Sequence, residues 1–544
     1  MSCTNGGCSV AVGNITDSGA FGAVRERGIV ARRRLMPGTA SADTALEIAP
    51  GRIVPAWLVL GLVCIGQFMV VLDASIVNVA LPSIQRDLRF SPSGLQWIVN
   101  AYTLTFAGFL MLGGRAADLY GRRKVFLIGL AIFTLSSLLG GMAQDQGWLI
   151  GARALQGFGA AILAPATLTI LTASFAEGPA RAKALGVWSA VSAAGASAGA
   201  LFGGILTDLL SWRWILFVNV PIGAVALVAA SRFLPESKAD VGHRHLDLAG
   251  ATTVTAGLVA IVYGIVSTET NAWGSAHVVA PLAIGVALLA LFVFLQARVS
   301  KAPLVPLGIF RSRSLSGANL VMLLMFGALF GSWYFETLFM QRVLNFSPLQ
   351  AGLAFLPQTL LIAAGAQVTS RLVPRFGPRP LILTGTLVAA GGLAWMSTVT
   401  TDATFLSSLL GPYVLIGLGM GLAVTPIAVA GTSGVPREQA GLASGLLNTS
   451  RTVGAAIGLA ALATLAATRT SHALSGVVST PGRTAAALTD GYTLAFGAAA
   501  IVLLGTGVVA LATLPSLRQV SQANEATRGA PARVHELDEA FETP

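Results

Sequence analysis

Two residues of this chain have the types and setting for charge chemistry inside a membrane. Asp73 lies in an apolar stretch running from Pro55-Ala56-Trp57 to Ala80-Leu81, and Arg153 lies near the start of another, at 148–172. A carboxylate at membrane depth is expensive unless it is paired, protonated or open to water, so it marks a proton or ion pathway. If the first stretch ends near Leu81, Asp73 is eight residues in, roughly 12 Å at about 1.5 Å per residue. Arg153 sits at a similar level in a stretch that runs the other way. A charged guanidinium there requires a carboxylate, and Asp73 is the obvious candidate. Pairing favours the carboxylate, and a broken pair in a dry cavity favours the neutral acid. Such a pair can exchange a proton for another charge. A static ion pair bracing two helices is the alternative.

Other chemistry is thinly supplied. Glu336 is the second acid within an apolar run and would either attract cationic ligands or snorkel to the interface. Arg451 and Asn448 read as polar glue between helices. The five histidines fall in loops or tails, and the three cysteines (Cys3, Cys8 and Cys64) form no spaced set. No metal site and no disulfide framework is therefore expected. The only lysines are Lys124, Lys183, Lys238 and Lys301, and none follows a glycine. A phosphate-cradling loop needs Gly-Lys, so the chain is not itself an ATP-driven pump. No cofactor is expected; the energy must come from a gradient or a partner.

The elements that position these residues are membrane helices. The chain has 544 residues, 54% hydrophobic and 10% charged, with a mean hydropathy of +0.75. A soluble domain carries about 25% charged residues. Apolar runs of helix length recur at 56–81, 96–114, 124–143, 148–172, 184–207, 213–233, 248–267, 277–297, 316–340, 349–371, 380–399, 404–427, 440–466 and 491–514. That predicts an all-α polytopic protein of fourteen spans, since barrel strands would be shorter and alternating.

The net charge of +11 does not indicate nucleic acid, because the basic residues are short clusters between apolar runs. They follow even-numbered spans: Arg115, Arg122, Arg123 and Lys124; Arg181 and Lys183, one loop on; Arg232, Lys238 and Arg244; Arg298, Lys301, Arg311 and Arg313; Arg371, Arg375 and Arg379. Opposite loops, such as Gln144-Asp145-Gln146, are nearly free of positive charge. By the positive-inside rule both termini are cytoplasmic. Residues 1–52 read as a disordered cytoplasmic tail without a cleavable signal, and 516–544 as a second tail.

The loop Gly114-Arg115-Ala116-Ala117-Asp118-Leu119-Tyr120-Gly121-Arg122-Arg123 has a weak repeat at Ser370–Arg379. Two related six-helix bundles are expected, 53–235 and 306–515, with spans seven and eight as an inserted linker at 236–305. Gly114 and Gly121 would allow tight turns. Asp118 would pair with Arg122 or Arg123 across the bundle interface, forming a conformational latch.

That loop resembles the signature of the major facilitator superfamily. Further segments resemble its 14-span drug:proton antiporter-2 (EmrB/QacA-type) branch: Leu72-Asp73-Ala74-Ser75-Ile76-Val77-Asn78-Val79-Ala80-Leu81-Pro82; Gln96-Trp97 with Tyr102 and Ala107; and Arg153-Ala154-Leu155-Gln156-Gly157-Phe158-Gly159-Ala160. Trp212-Arg213-Trp214 with Asn219 and Pro221, Gln341, and Ser347-Pro348-Leu349 with Ala351-Gly352 complete the set, spread over about 55–515. Ser75 replaces the branch's threonine and keeps the hydroxyl. Gly199 is followed by Ala200 where the branch has proline, while Gly195, Gly199, Gly203 and Gly204 keep the spacing for close helix packing.

The resemblance implies a plasma-membrane antiporter that exports lipophilic or cationic drugs by alternating access, driven by the proton gradient. Its partners would be protons, a small lipophilic substrate and the bilayer, with no nucleic acid, and it would act as a monomer. Asp73 and Arg153 would couple protons, and Asn78, Gln156 and Glu336 would line the substrate cavity. The alternatives are an exporter of one antibiotic or metabolite, and a non-transporting sensor or enzyme on the same scaffold.

Overall fold

The computed structural model describes residues 45–49, 52–175, 178–237, 246–300, 303–433, 435, 439–475, 480–514 and 516. Expectations for residues 1–44 and 517–544, and for Lys238, Arg244 and Lys301, fall outside these. An antiparallel hairpin, Ala45–Ala49 with Arg52–Pro55, occupies the last part of the stretch read from sequence as a tail.

Fourteen helices among the described residues are long and apolar enough to cross a membrane. Spans one to six are Ala56–Leu88, Trp97–Tyr120, Arg122–Gly141, Gln146–Ser174, Pro179–Leu209 and Trp214–Phe233. Spans seven and eight are Leu248–Ser267 and Ala276–Val299. Spans nine to fourteen are Arg313–Arg342, Pro348–Phe376, Pro378–Met396, Phe405–Thr432, Gly441–Leu474 and Pro481–Thr513. All fourteen apolar runs become helices, but several extend further than hydropathy suggests. Span one continues through Pro82 to Leu88, because Ile84 and Leu88 bury against neighbours. Span two continues from Gly114 to Tyr120. Apolar length marks the lipid-facing part of a helix and not its protruding end.

A repeat at a spacing of 256 residues organises the chain. Gln85-Arg86 and Leu88, then Phe90-Ser91-Pro92, recur as Gln341-Arg342, Leu344 and Phe346-Ser347-Pro348. Among the described residues, the non-glycine positions with positive φ are Arg89 (54°) and Asn345 (57°), at that spacing. Each follows the end of an odd-numbered span. The serines two residues on both cap the next helix, Ser91 accepting from Gly94 N and Ser347 from Gln350 N. Gly121 and Gly377, also 256 apart, both have positive φ, at 106° and 79°. Arg123 and Arg379, two residues later, each donate to a carbonyl near the end of the sixth helix of their own half, Ser231 O and Leu511 O. One six-helix plan is thus built twice.

The halves meet along spans two and thirteen, where Leu112 packs with Ala443 and Leu446, and again at the end of the bundle that carries Asp87. Gln341 Nε2 donates to Val79 O at 2.7 Å, and Ser347 Oγ to Asp208 Oδ2 at 3.1 Å. A Cβ on Gly204 would lie 2.6 Å from Pro348 O, so the start of span ten rests on the span-five backbone. Spans seven and eight lie to one side. Leu258, Val262 and Val266 pack with Leu104 of span two and with Ala456 and Ala460 of span thirteen, while Ile284, Val286, Val293 and Phe294 of span eight are exposed.

Candidate functional site

Five spans of the first half converge on Asp73. Arg153 Nη1 donates to its Oδ2 at 2.6 Å, and Gln156 Nε2 and Asn219 Nδ2 donate to its Oδ1 at 2.8 and 3.2 Å. Arg153 also donates through Nε to Ile98 O (3.2 Å) and through Nη1 to Gln156 Oε1 (2.7 Å), and its guanidinium lies 4.4 Å over the Tyr102 ring. Tyr102 Oη in turn donates to Val70 O at 3.3 Å. Ser137 Oγ accepts from Gln156 Nε2 and Asn219 Nδ2 at 3.0 and 3.1 Å. Asp73 is 0% exposed and Arg153 2%.

An ion pair this buried needs further hydrogen bonds on both partners. Here the amides of Gln156 and Asn219 supply them for the acid, and Ile98 O and Gln156 Oε1 supply them for the base, whose guanidinium also rests on the Tyr102 face. The residues expected to couple protons are therefore in contact. The helix itself runs on beyond its apolar run to Leu88. Asp73 is fifteen residues from that end, roughly 22 Å along the axis at about 1.5 Å per residue.

Gln156, expected on a cavity wall, is 1% exposed and belongs to this network instead. It sits one helical turn after Arg153, so both side chains fall on one face. Asn78 donates to Ala74 O on its own helix at 3.3 Å. Reading from sequence missed Ser137, Asn219 and the ring of Tyr102 as members of the site. The signal was present: each is a polar side chain within an apolar run.

Glu336 does not snorkel. It is 0% exposed, and its Oε1 has no hydrogen-bond partner. With its amide turned so that both ends are satisfied, Gln358 donates Nε2 to Glu336 Oε2 at 3.2 Å and accepts Trp333 Nε1 at 3.0 Å.

The loop after span two differs from expectation in two respects. Gly114 is helical, and a Cβ there would make an ordinary 3.6 Å contact with Pro165. The close approach is at Gly113, where a Cβ would run into Ala161 O. Asp118 Oδ1 pairs with Arg122 Nη2 at 3.4 Å, but the further hydrogen bonds of Arg122 and Arg123 go to the end of span six and the start of the linker. Arg122 N donates to Ser237 O at 2.9 Å, and Arg123 to Ser231 O. The physical reason is local: the start of span three packs beside the end of span six. Gly195, Gly199 and Gly203 face span one, and a Cβ on Gly199 would run into Ser75 Oγ.

At the Asp87 end, Asp87 Oδ2 accepts from Arg213 Nη1 (2.6 Å) and Trp212 Nε1 (2.8 Å), with the guanidinium 4.4 Å over the Trp212 ring. Among the described residues, no three His, Cys, Asp or Glu side chains group to hold a metal.

The model of the Major Facilitator Superfamily matches residues 63–459. The chain is 46% identical over 435 residues to the cephamycin export protein CmcT of Amycolatopsis lactamdurans, covering 80% of this chain and 87% of that one. It is 42% identical over 480 residues to the puromycin resistance protein pur8 of Streptomyces alboniger, covering 88% and 95%. Among solved structures it resembles a peptide transporter, POT, in complex with sulfate. The TM-score is 0.62 at 15% identity, covering 86% of this chain and 95% of that one.

Proposed function

The chain belongs to the major facilitator superfamily, and we propose that it exports lipophilic, often cationic compounds in exchange for protons by alternating access. It is a multi-pass membrane transporter of the antibiotic and multidrug export type. The proton coupling rests on one observation: the buried Asp73–Arg153 pair, whose hydrogen-bond network draws donors and acceptors from four spans besides span one. A rearrangement of any of those spans changes the contacts of the acid, and with them its preference for the charged or neutral form. Asp73 would hold its charge against Arg153 in one state and take a proton when the pair is broken. The Asp118 cluster would hold spans two, three and six together in one of these states.

In this reading both termini face the cytoplasm, the Asp87 end faces outward, and the protein works as a monomer in the plasma membrane. The contacts of Gln341 with Val79 and of Ser347 with Asp208 then describe a form closed to the outside. The test is uptake into inverted membrane vesicles of a panel holding puromycin, a cephamycin and lipophilic cationic dyes, with and without an uncoupler. Uncoupler-sensitive uptake is expected; uptake that an uncoupler leaves unchanged would overturn the coupling. A narrower reading, export of one antibiotic, is favoured by relatives named for single compounds, and uptake of only one panel member would select it.

A further inference from the structure

Arg153 and Arg451 both lie deep within spans, but their surroundings differ. Arg153 is buried against its own acid. Arg451 of span thirteen, read from sequence as polar glue, has neither an acid partner nor a hydrogen bond among the described residues. Its guanidinium lies 5.5 Å over the Phe326 ring of span nine. The next acid along span nine is Glu336, ten residues beyond Phe326 and so roughly 15 Å away along the axis.

Span thirteen presents four rows of residues, each row repeating every four positions. Gly454 and Gly458 rest on Leu323 O and Gly327 O of span nine. Ala456 and Ala460 pack with Leu104 of span two. Val453 and Ile457 join the span-seven cluster, and Ala461 and Leu465 of the same row are exposed. The remaining row, Arg451, Ala455, Leu459 and Ala463, therefore points inward between the halves. Ala455, Leu459 and Ala463 are buried, toward the closed Asp87 end, while Arg451 is exposed. Protein nevertheless encloses its side chain. Arg451 thus opens on a space inside the protein and not on lipid. Asn448, one turn earlier, is half-exposed and its side-chain amide has no hydrogen bond among the described residues. Phe330 and Trp333, 6.3 Å apart, continue the aromatic wall that begins at Phe326.

An enclosed cation without a counter-charge is costly unless an anion from outside the chain answers it. The planar guanidinium fork matches a carboxylate with two parallel hydrogen bonds, and Phe326 takes its face. We propose that Arg451 is an anion site, which receives the carboxylate of an amphipathic organic acid. Asn448 is the second donor, and the rings of span nine take the apolar body. A soluble acid is the occupant and not a lipid headgroup, because the row of Arg451 lies opposite the exposed row of Ala461 and Leu465. The repeat separates this site from the scaffold: 256 residues before Arg451 stands Gly195 (451 − 256 = 195), where a Cβ would lie 3.3 Å from Phe68 O of span one. The proposal rests on the reading of the chain as an exporter and adds organic acids to the compounds that it takes.

The test needs no gradient. Pyrenebutyrate and its neutral amide, pyrenebutyramide, are titrated into purified protein in phosphatidylcholine nanodiscs, with affinity read by calorimetry against empty discs. The native chain is expected to bind the acid at least about tenfold more tightly than the amide, and equal affinities would overturn the proposal whether or not any variant folds. Arg451→Gln should bring the acid to the affinity of the amide and leave the amide unchanged. An equal loss of both would make Arg451 a brace for span nine and overturn the site. Arg451→Lys keeps the charge without the fork and should fall between. Phosphatidylglycerol added to the discs should leave the preference for the acid in place; loss of that preference would give the guanidinium to a headgroup and overturn the soluble occupant. Failure of the exporter reading would show separately, as vesicle uptake indifferent to an uncoupler.

Discussion

Replacing Arg153 by methionine separates a bracing ion pair from a working one. Methionine keeps much of the apolar stem and removes the guanidinium. Asp73 is then left at 0% exposure with Gln156 and Asn219 as its remaining donors. Removing one partner of a buried pair costs about 3–5 kcal/mol. Two donors survive here, and each hydrogen bond to a charged group contributes about 1.5–3 kcal/mol, so the loss belongs near the lower end. About 3 kcal/mol is roughly a hundredfold in the folded-to-unfolded ratio, at about 1.4 kcal/mol per factor of ten.

The informative variant is the double one, Asp73→Leu with Arg153→Met. An apolar pair of similar volume in place of a buried ion pair is neutral or stabilising by about 1–4 kcal/mol. The double variant should therefore recover most of the stability lost in Arg153→Met, with Gln156, Ser137 and Asn219 left to satisfy one another. The assay pairs the monodisperse fraction surviving a heat step in detergent with uncoupler-sensitive uptake in inverted vesicles. Arg153→Met should fail both. The double variant should survive heating and still fail to transport. If it survives and transports at the native rate under uncoupler control, the pair is a brace and the coupling group lies elsewhere.

Asp118→Asn should cut vesicle uptake several-fold at unchanged folded yield, because a partly exposed pair contributes only about 0–1 kcal/mol; native uptake would reduce the cluster to a solvated loop. Gly113→Ala should lower thermal stability by about 1–3 kcal/mol, the cost of overpacking against Ala161 O. Gly114→Ala, whose Cβ would make an ordinary contact with Pro165, should not, and equal melting of the two would refute the packing read here. Ser347→Ala removes both a helix cap, about 1 kcal/mol, and the contact to Asp208. A cysteine at Leu349 should then react faster with an impermeant thiol reagent added from the Asp87 side.

Span number and type were legible because apolar length is written directly in the sequence. So was the contact of Asp73 with Arg153, since a buried charge must find its opposite. The rest of the network was not, because Ser137, Asn219 and Gln156 meet only once the tilt and protrusion of spans one, three, four and six are set. The end of span one was misplaced for the same reason: the helix runs through Pro82 to Leu88. Gly114 was read as allowing a tight turn, whereas Gly113 admits the span-four backbone and span two stays helical through both. The 256-residue repeat was readable in Phe90-Ser91-Pro92 and Phe346-Ser347-Pro348, but the paired left-handed residues Arg89 and Asn345 make it firm.

That repeat also separates scaffold from chemistry. The turns, caps and loop arginines recur at the same spacing, as they must if both halves are to tilt alike. The buried acids do not: 256 residues after Asp73 stands Leu329, and 256 before Glu336 stands Ala80. Tyr102, whose ring covers Arg153, has Gln358 as its counterpart, and Gln358 holds Glu336. The same place in the plan thus supports a cation in one half and an acid in the other. A symmetric rocking motion would then act on unlike charges, breaking an internal ion pair on one side and uncovering an unpaired carboxyl on the other. Two halves that carried the same group would compete for the same ion in the same state. Because these groups differ, one motion acts on an ion pair in one half and on a lone buried carboxyl in the other.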